Sequence, residues 1–200
     1  MTRLTSWMTG AMKSPRRSTA SVWTAGRKEA ATTSKPSTGK RAAAVHEASH
    51  AVVAVLLGLK ARAFLHADTP GCGTTDIDVP DGPGGDERLL IALVAGSEAE
   101  GRLLHQVRRW HTSTEDARAI ARLVGGITEA STKRLFRAKR KASELVRDKR
   151  VWSAIEAVAW QLDESGTVED ATVREAVAAA GLRPTFPSQA GAEEGRRGGT

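Results

Sequence analysis

The run Ala42–Gly58, AAAVHEASHAVVAVLLG, constrains the fold more than any other stretch of the chain. Ala, Val and Leu follow one another with few polar breaks, so the helix they form belongs inside a core. The same helix carries His46, Glu47 and His50. Burying three ionisable side chains is costly unless each is coordinated or hydrogen-bonded. Any fold adopted by this chain must therefore supply partners for them.

The spacing suggests what those partners are. Residues i and i+4 lie one turn apart on the same helix face. His46 and His50 can thus aim imidazole nitrogens at one point, as a tetrahedral Zn²⁺ requires. Glu47 is turned about 100° around the helix. Its carboxylate then sits beside the ion rather than on it, where it can take a proton from an attacking water. The pattern encodes metal-assisted hydrolysis of a peptide bond. A competing reading keeps the helix as a core element whose polar residues line an exposed edge.

A catalytic zinc usually has three protein ligands and one open position. His66, Cys72, Glu98, Glu100, His105, His111, Glu115 and Asp116 are the candidates for the third, and spacing does not choose among them. Cys72 is the only cysteine, which excludes internal disulfides and Cys-rich zinc fingers.

The 200 residues suffice for one domain with tails. Residues 1–41 hold nine basic groups and the single acid Glu29, a net of +8, while the whole chain is +7, so residues 42–200 sum to −1. The basic character belongs to the N-terminal segment. It argues weakly for nucleic-acid binding by the folded body. No stretch approaches the roughly 18 apolar residues of a membrane span, and the N-terminus lacks the apolar segment of a secretory signal. These features predict a soluble, cytoplasmic protein without a membrane partner.

Residues 1–40 are rich in Ser, Thr, Gly, Lys and Arg without apolar period and read as a disordered basic tail. Ordered structure is expected over 41–182, with a flexible tail at 183–200. Within it, ARAFLHA and TTDIDV read as a strand pair. Helices are expected from an N-cap at Asp86, from TSTEDARAIARLV, from a cap at Thr128, over Val151–Glu164 and within 166–182. The fold class is α+β: predominantly helical, zincin-like, with a small β element and a C-terminal helical bundle.

From Ala42 to about Gly181 the chain resembles the peptidase domain of the FtsH-type ATP-dependent zinc metalloproteases, peptidase family M41. VHEASHAVVAVLLG resembles the family's His-Glu-Ala-Gly-His-Ala helix. GCGTTDIDVP is similar to its Leu-Gly-x-Thr strand, LVAGSEAEGRLL to its Gly-Gly-Arg-x-Ala-Glu helix, and TSTEDARAIARLV to its Gly-Ala-Ser-Asn-Asp-Leu segment. The resemblance implies His46 and His50 as zinc ligands, Glu47 as the catalytic base and Asp116 as the third ligand. By position alone Asp116 could instead close a Ser113-x-x-Asp116 capping pattern. Glu100 matches the family's Glu and is expected to support the site, and His111 to orient Asp116 or cap the helix. Ser49 replaces a family glycine.

The family's ATPase has no counterpart here, since STGKR lacks the pattern of a phosphate-cradling P-loop. The expectation is an endopeptidase that is ATP-independent in itself and acts on peptides or flexible and unfolded segments, or is fed by a separate unfoldase or adaptor. The family's rings imply a homo-oligomer. An extended substrate is expected to add alongside the strand near Thr74–Val79. The alternative is a catalytically silent binding protein, using the tail and the basic segment 133–150 to bind nucleic acid or a protein partner.

Overall fold

A computed structural model describes residues 20–24, 36–69, 71–80, 84–104 and 114–185, with side chains from Gly39 onward. The helix around the opening motif, α1 (Pro36–Leu56), is the centre of the molecule. Pro36 stands at its first position, where a missing N–H costs nothing and the fixed φ suits a helix. Every residue from Ala44 to Leu57 is buried. This all-round burial follows from the uninterrupted apolar run.

Three further helices and a sheet enclose α1. Helix α2 (Gly85–Leu103) and helix α5 (Lys149–Ser165) pack along it, and α6 (Asp170–Ala179) closes one side. Helix α3 (Thr114–Val124) lies on α2, and α4 (Glu129–Arg147) crosses α2. The sheet is antiparallel with strand order β1 (Ala20–Thr24), β3 (Gly73–Asp78), β2 (Lys60–Leu65), β4 (Thr167–Val168). Strand β2 alternates, turning Ala61 and Ala63 into the core. The architecture is the predominantly helical α+β arrangement expected, and no helix among the described residues is long and apolar enough to cross a membrane.

Several local expectations are met. Thr128 caps α4 through a capping box with Ser131. Gly125 and Gly126, both at positive φ, end α3. Asp86 does not cap α2. That place falls to Gly84 at φ 83°, and Asp86 sits in the first turn, where its charge favours the helix dipole. Gly85 packs so tightly that a Cβ there would meet Val79 Cγ1 at 2.8 Å.

The reading of residues 1–40 as wholly disordered needs correction at two places. Residues 20–24 form β1, paired to β3 from Ala20↔Ile77 to Thr24↔Gly73, and α1 begins at Pro36. Main-chain pairing onto an existing strand builds β1, so apolar periodicity gives no warning of it. The rest of that segment and residues 186–200 lie outside the described residues. At the other end, the Thr185 amide donates to the Leu56 carbonyl at 2.8 Å, so the first residues after α6 fold back on α1. A second correction follows from β1: the strand near Thr74–Val79 is flanked on both sides, not open at its edge.

Helix α4 is buried along one stripe only. Ala138, Ala142 and Val146 form its buried stripe, but Phe136 is 67% exposed. Leu93→Ala, inside the core, should lower the unfolding free energy by about 2–5 kcal/mol. Phe136→Ser should shift it by no more than about 0.5 kcal/mol. Denaturant titration of the two variants checks both.

Candidate metal centre

His46 and His50 project from α1 with their rings nearly perpendicular, at an interplanar angle of 81° and 4.7 Å between centroids. Asp116, in the first turn of α3, reaches both. Its Oδ2 lies 3.0 Å from His46 Nε2 and 3.5 Å from His50 Nε2. One ligand atom from each of the three residues lies within 4.8 Å of the others, and all three residues are buried.

The other ring nitrogens face acceptors. His50 Nδ1 lies 2.8 Å from the Ala92 carbonyl on α2, which can only accept, so Nδ1 carries the proton. Nε2 of the neutral ring then presents a lone pair, and it is buried without a hydrogen bond. His46 Nδ1 faces Glu100 Oε2 at 3.3 Å. With Nδ1 protonated on each ring, both Nε2 atoms would turn lone pairs toward Asp116. That arrangement is repulsive unless a cation lies among them.

In the metal-free site a proton fills this role. Burial alone would hold the His46 imidazole neutral, but Asp116 and Glu100 outweigh burial and raise its pKa well above the usual 6.5. Burial likewise opposes ionisation of Asp116, yet the histidines hold its pKa far below the usual 3.8.

The donor set fits zinc. Two imidazoles and one carboxylate form a common three-ligand zinc set that leaves a position open. Tetrahedral bonds of roughly 2.05 Å place ligand atoms about 3.3 Å apart, and the two contacts of Asp116 bracket that value. The space is kept by Gly96 on α2. A Cβ there would lie 2.4 Å from His50 Nε2 and 2.6 Å from His46 Nε2. Ser49 donates its hydroxyl to the His46 carbonyl at 2.7 Å and fits the helix.

Glu47 is not among the three converging residues. It is buried and turned toward β3, where the Thr75 hydroxyl contacts its Oε2 at 2.8 Å and its carbonyl at 3.1 Å. A Cβ on Gly73 would meet Glu47 Cγ at 2.4 Å. The helix, the strand and the absent side chain of Gly73 together fix this carboxylate beside His46.

Of the other candidate ligands, Glu100 supports His46 from the far side of the ring. His66 bonds Thr74 within the β2–β3 hairpin at 2.8 Å, Cys72 is buried as a free thiol, and Glu98 faces Lys139 at 3.8 Å. His105, His111 and Ser113 lie outside the described residues. Gly96, Gly73 and Thr75 were not singled out in the sequence. A glycine in mid-helix, costing about 1 kcal/mol against alanine, was the available signal for the first. Compared with known proteins, the chain matches no family model and no curated protein.

Gly96→Ala should reduce bound zinc from about one per chain to little or none, measured by elemental analysis after reconstitution. The added methyl can be accommodated only by moving two rings that Ala92 and Glu100 hold. In chelator, the site should favour folding most between pH 3.8 and 6.5. Below 3.8 the contribution of ionised Asp116 is lost as pH falls toward its depressed pKa. Above 6.5 the contribution of protonated His46 is lost as pH rises through its raised pKa. A zinc ion bound there would replace that proton, so its stabilising effect on the melting temperature should grow with pH across the latter range.

Proposed function

We propose that the protein is a zinc-dependent endopeptidase of the FtsH type, ATP-independent in itself, acting on peptides and on flexible or unfolded segments. The observation that carries the reading is the convergence of Asp116 on His46 across a separation of 70 residues, with His50 completing the set and Glu47 held alongside. A core helix would also need partners for its buried histidines; what supports a metal is that both rings and the carboxylate converge on one point.

The chemistry a bound zinc supplies is polarisation of the scissile carbonyl and activation of water near neutral pH. His46, His50 and Asp116 would hold it, with Glu100 and the Ala92 carbonyl keeping the rings in the required tautomers. Glu47 accepts the proton of the attacking water and returns it to the leaving amine. Thr75 restrains the carboxylate from rotating away. Leu93, Val94 and Ala95 on α2 and Val45 and Ala48 on α1, sequence neighbours of the site residues, are all buried.

The binding-protein alternative draws on the basic stretch 133–150. Part of that charge is engaged within the fold: Arg134 pairs with Glu87 at 2.8 Å, and Lys133 with Glu129 at 2.5 Å. Lys139 faces Glu98, and Arg140 and Lys141 face Glu144. We therefore place hydrolysis first.

Glu47→Gln should keep about one zinc per chain and lower the cleavage rate of an unfolded casein by about 10²-fold or more. His50→Ala should lose the zinc. Equal hydrolysis by Glu47→Gln and wild type would remove Glu47 as the base. A folded wild-type chain that takes up no zinc would remove the reading altogether.

A further inference from the structure

The sheet edge that an extended peptide would use is occupied. Strand β3 has two neighbours, and the one away from β2 is β1, a segment of the chain's own N-terminal region. The pairing is antiparallel and in continuous register: Ala20↔Ile77, Ser21↔Asp76, Val22↔Thr75, Trp23↔Thr74 and Thr24↔Gly73. Two of the β3 partners are the residues that hold Glu47, since Thr75 bonds its carboxylate and Gly73 leaves room for it. Strand β1 also contacts α3, the helix that carries Asp116. The segment thus touches both the strand that holds Glu47 and the helix that supplies the proposed third ligand.

We propose that Ala20–Thr24 is an intramolecular stand-in for an extended peptide, filling the outer edge of β3 and closing the site until it is displaced. The identity of the edge as a substrate path rests on the peptidase reading; the occupancy itself rests on the strand pairing. A five-residue strand is short, and main-chain ladders bind any sequence that can extend. Such a strand is exchangeable in principle. Ala20–Thr24 belongs to the same chain as the edge it fills, so it meets β3 at an intramolecular effective concentration that a free peptide must exceed. A free peptide with the same main-chain contacts therefore competes poorly. Displacement requires a ligand with better contacts, or loss of the segment's own pairing.

The test keeps the full chain and weakens the ladder. Alternate residues of a strand point their N–H groups at a given neighbour. Of Ser21 and Val22, one must then donate into β3, and Ser21→Pro or Val22→Pro removes that donor. A fluorescent peptide of residues 17–28 should bind one of these variants at least about tenfold more tightly than wild type. Cleavage of unfolded casein by the zinc-loaded protein should rise by about the same factor. In the wild-type chain, alternate amides of residues 20–24 should be protected from hydrogen exchange.

A gain in peptide binding without casein cleavage by any form would uphold the occupancy while the peptidase reading fails. Peptide binding that neither proline changes would overturn the inference, as would unprotected exchange at all five amides. The exchange measurement needs no variant, so the inference stays testable even if both prolines disturb folding.

Discussion

One interaction governs the rest of the molecule: a buried carboxylate, Asp116, placed between two buried imidazoles of the central helix. None of the three groups has bulk water to fall back on, so each depends on the others and on a cation at their focus. Removing one partner of such a set is far more damaging than never having built it, because the remaining charge stays buried. The set also joins α3 to α1 across 70 residues of sequence. Site and core are therefore one structure: the contacts that would hold a metal also tie α3 to the central helix.

Local preferences yield to this demand at several points. Gly96 interrupts a well-formed helix and forgoes the propensity of alanine, and Gly73 weakens a strand. Each stands where a Cβ would collide with a site residue, His50 and His46 in the first case and Glu47 in the second. Ser49 sits within α1 but returns its hydroxyl to the helix backbone. Departures from local preference that gather around one spot mark a functional site more securely than any of them alone.

The strength of each sequence signal follows its range. The apolar run, the helix caps and the hairpin strands are local patterns, and α1, the Thr128 cap and the β2–β3 pair are found where those patterns put them. His46 and His50 were legible because their spacing is itself helical. Asp116 was not legible from spacing, since first-turn acids are common for reasons of the dipole alone; only the resemblance to a peptidase family separated it from seven other candidates. Thr75, Gly73 and Gly96 act through contacts between elements. Such contacts leave no period to read. Strand β1 is the extreme case, because its partner supplies the ladder and its own sequence need only be able to extend.

That strand also bears on how the fold manages its exposed main chain. An open strand edge is a binding surface and an aggregation hazard at once, because its unpaired N–H and C=O groups accept any extended chain. Strand β1 satisfies the outer ladder of β3 with main chain drawn from the N-terminal segment of the same protein. On the opposite side of the sheet the constraint differs. Strand β4 contributes only Thr167 and Val168 to β2, and the Gly166 carbonyl accepts from the Leu65 amide at 2.7 Å as the chain leaves α5. That edge is held from both ends by helices packed on α1, and it lies on the β2 side, away from β3 and Glu47. The two edges of one small sheet are thus closed differently: β4 sits between two helices, whereas β1 pairs with the strand whose Thr75 holds Glu47.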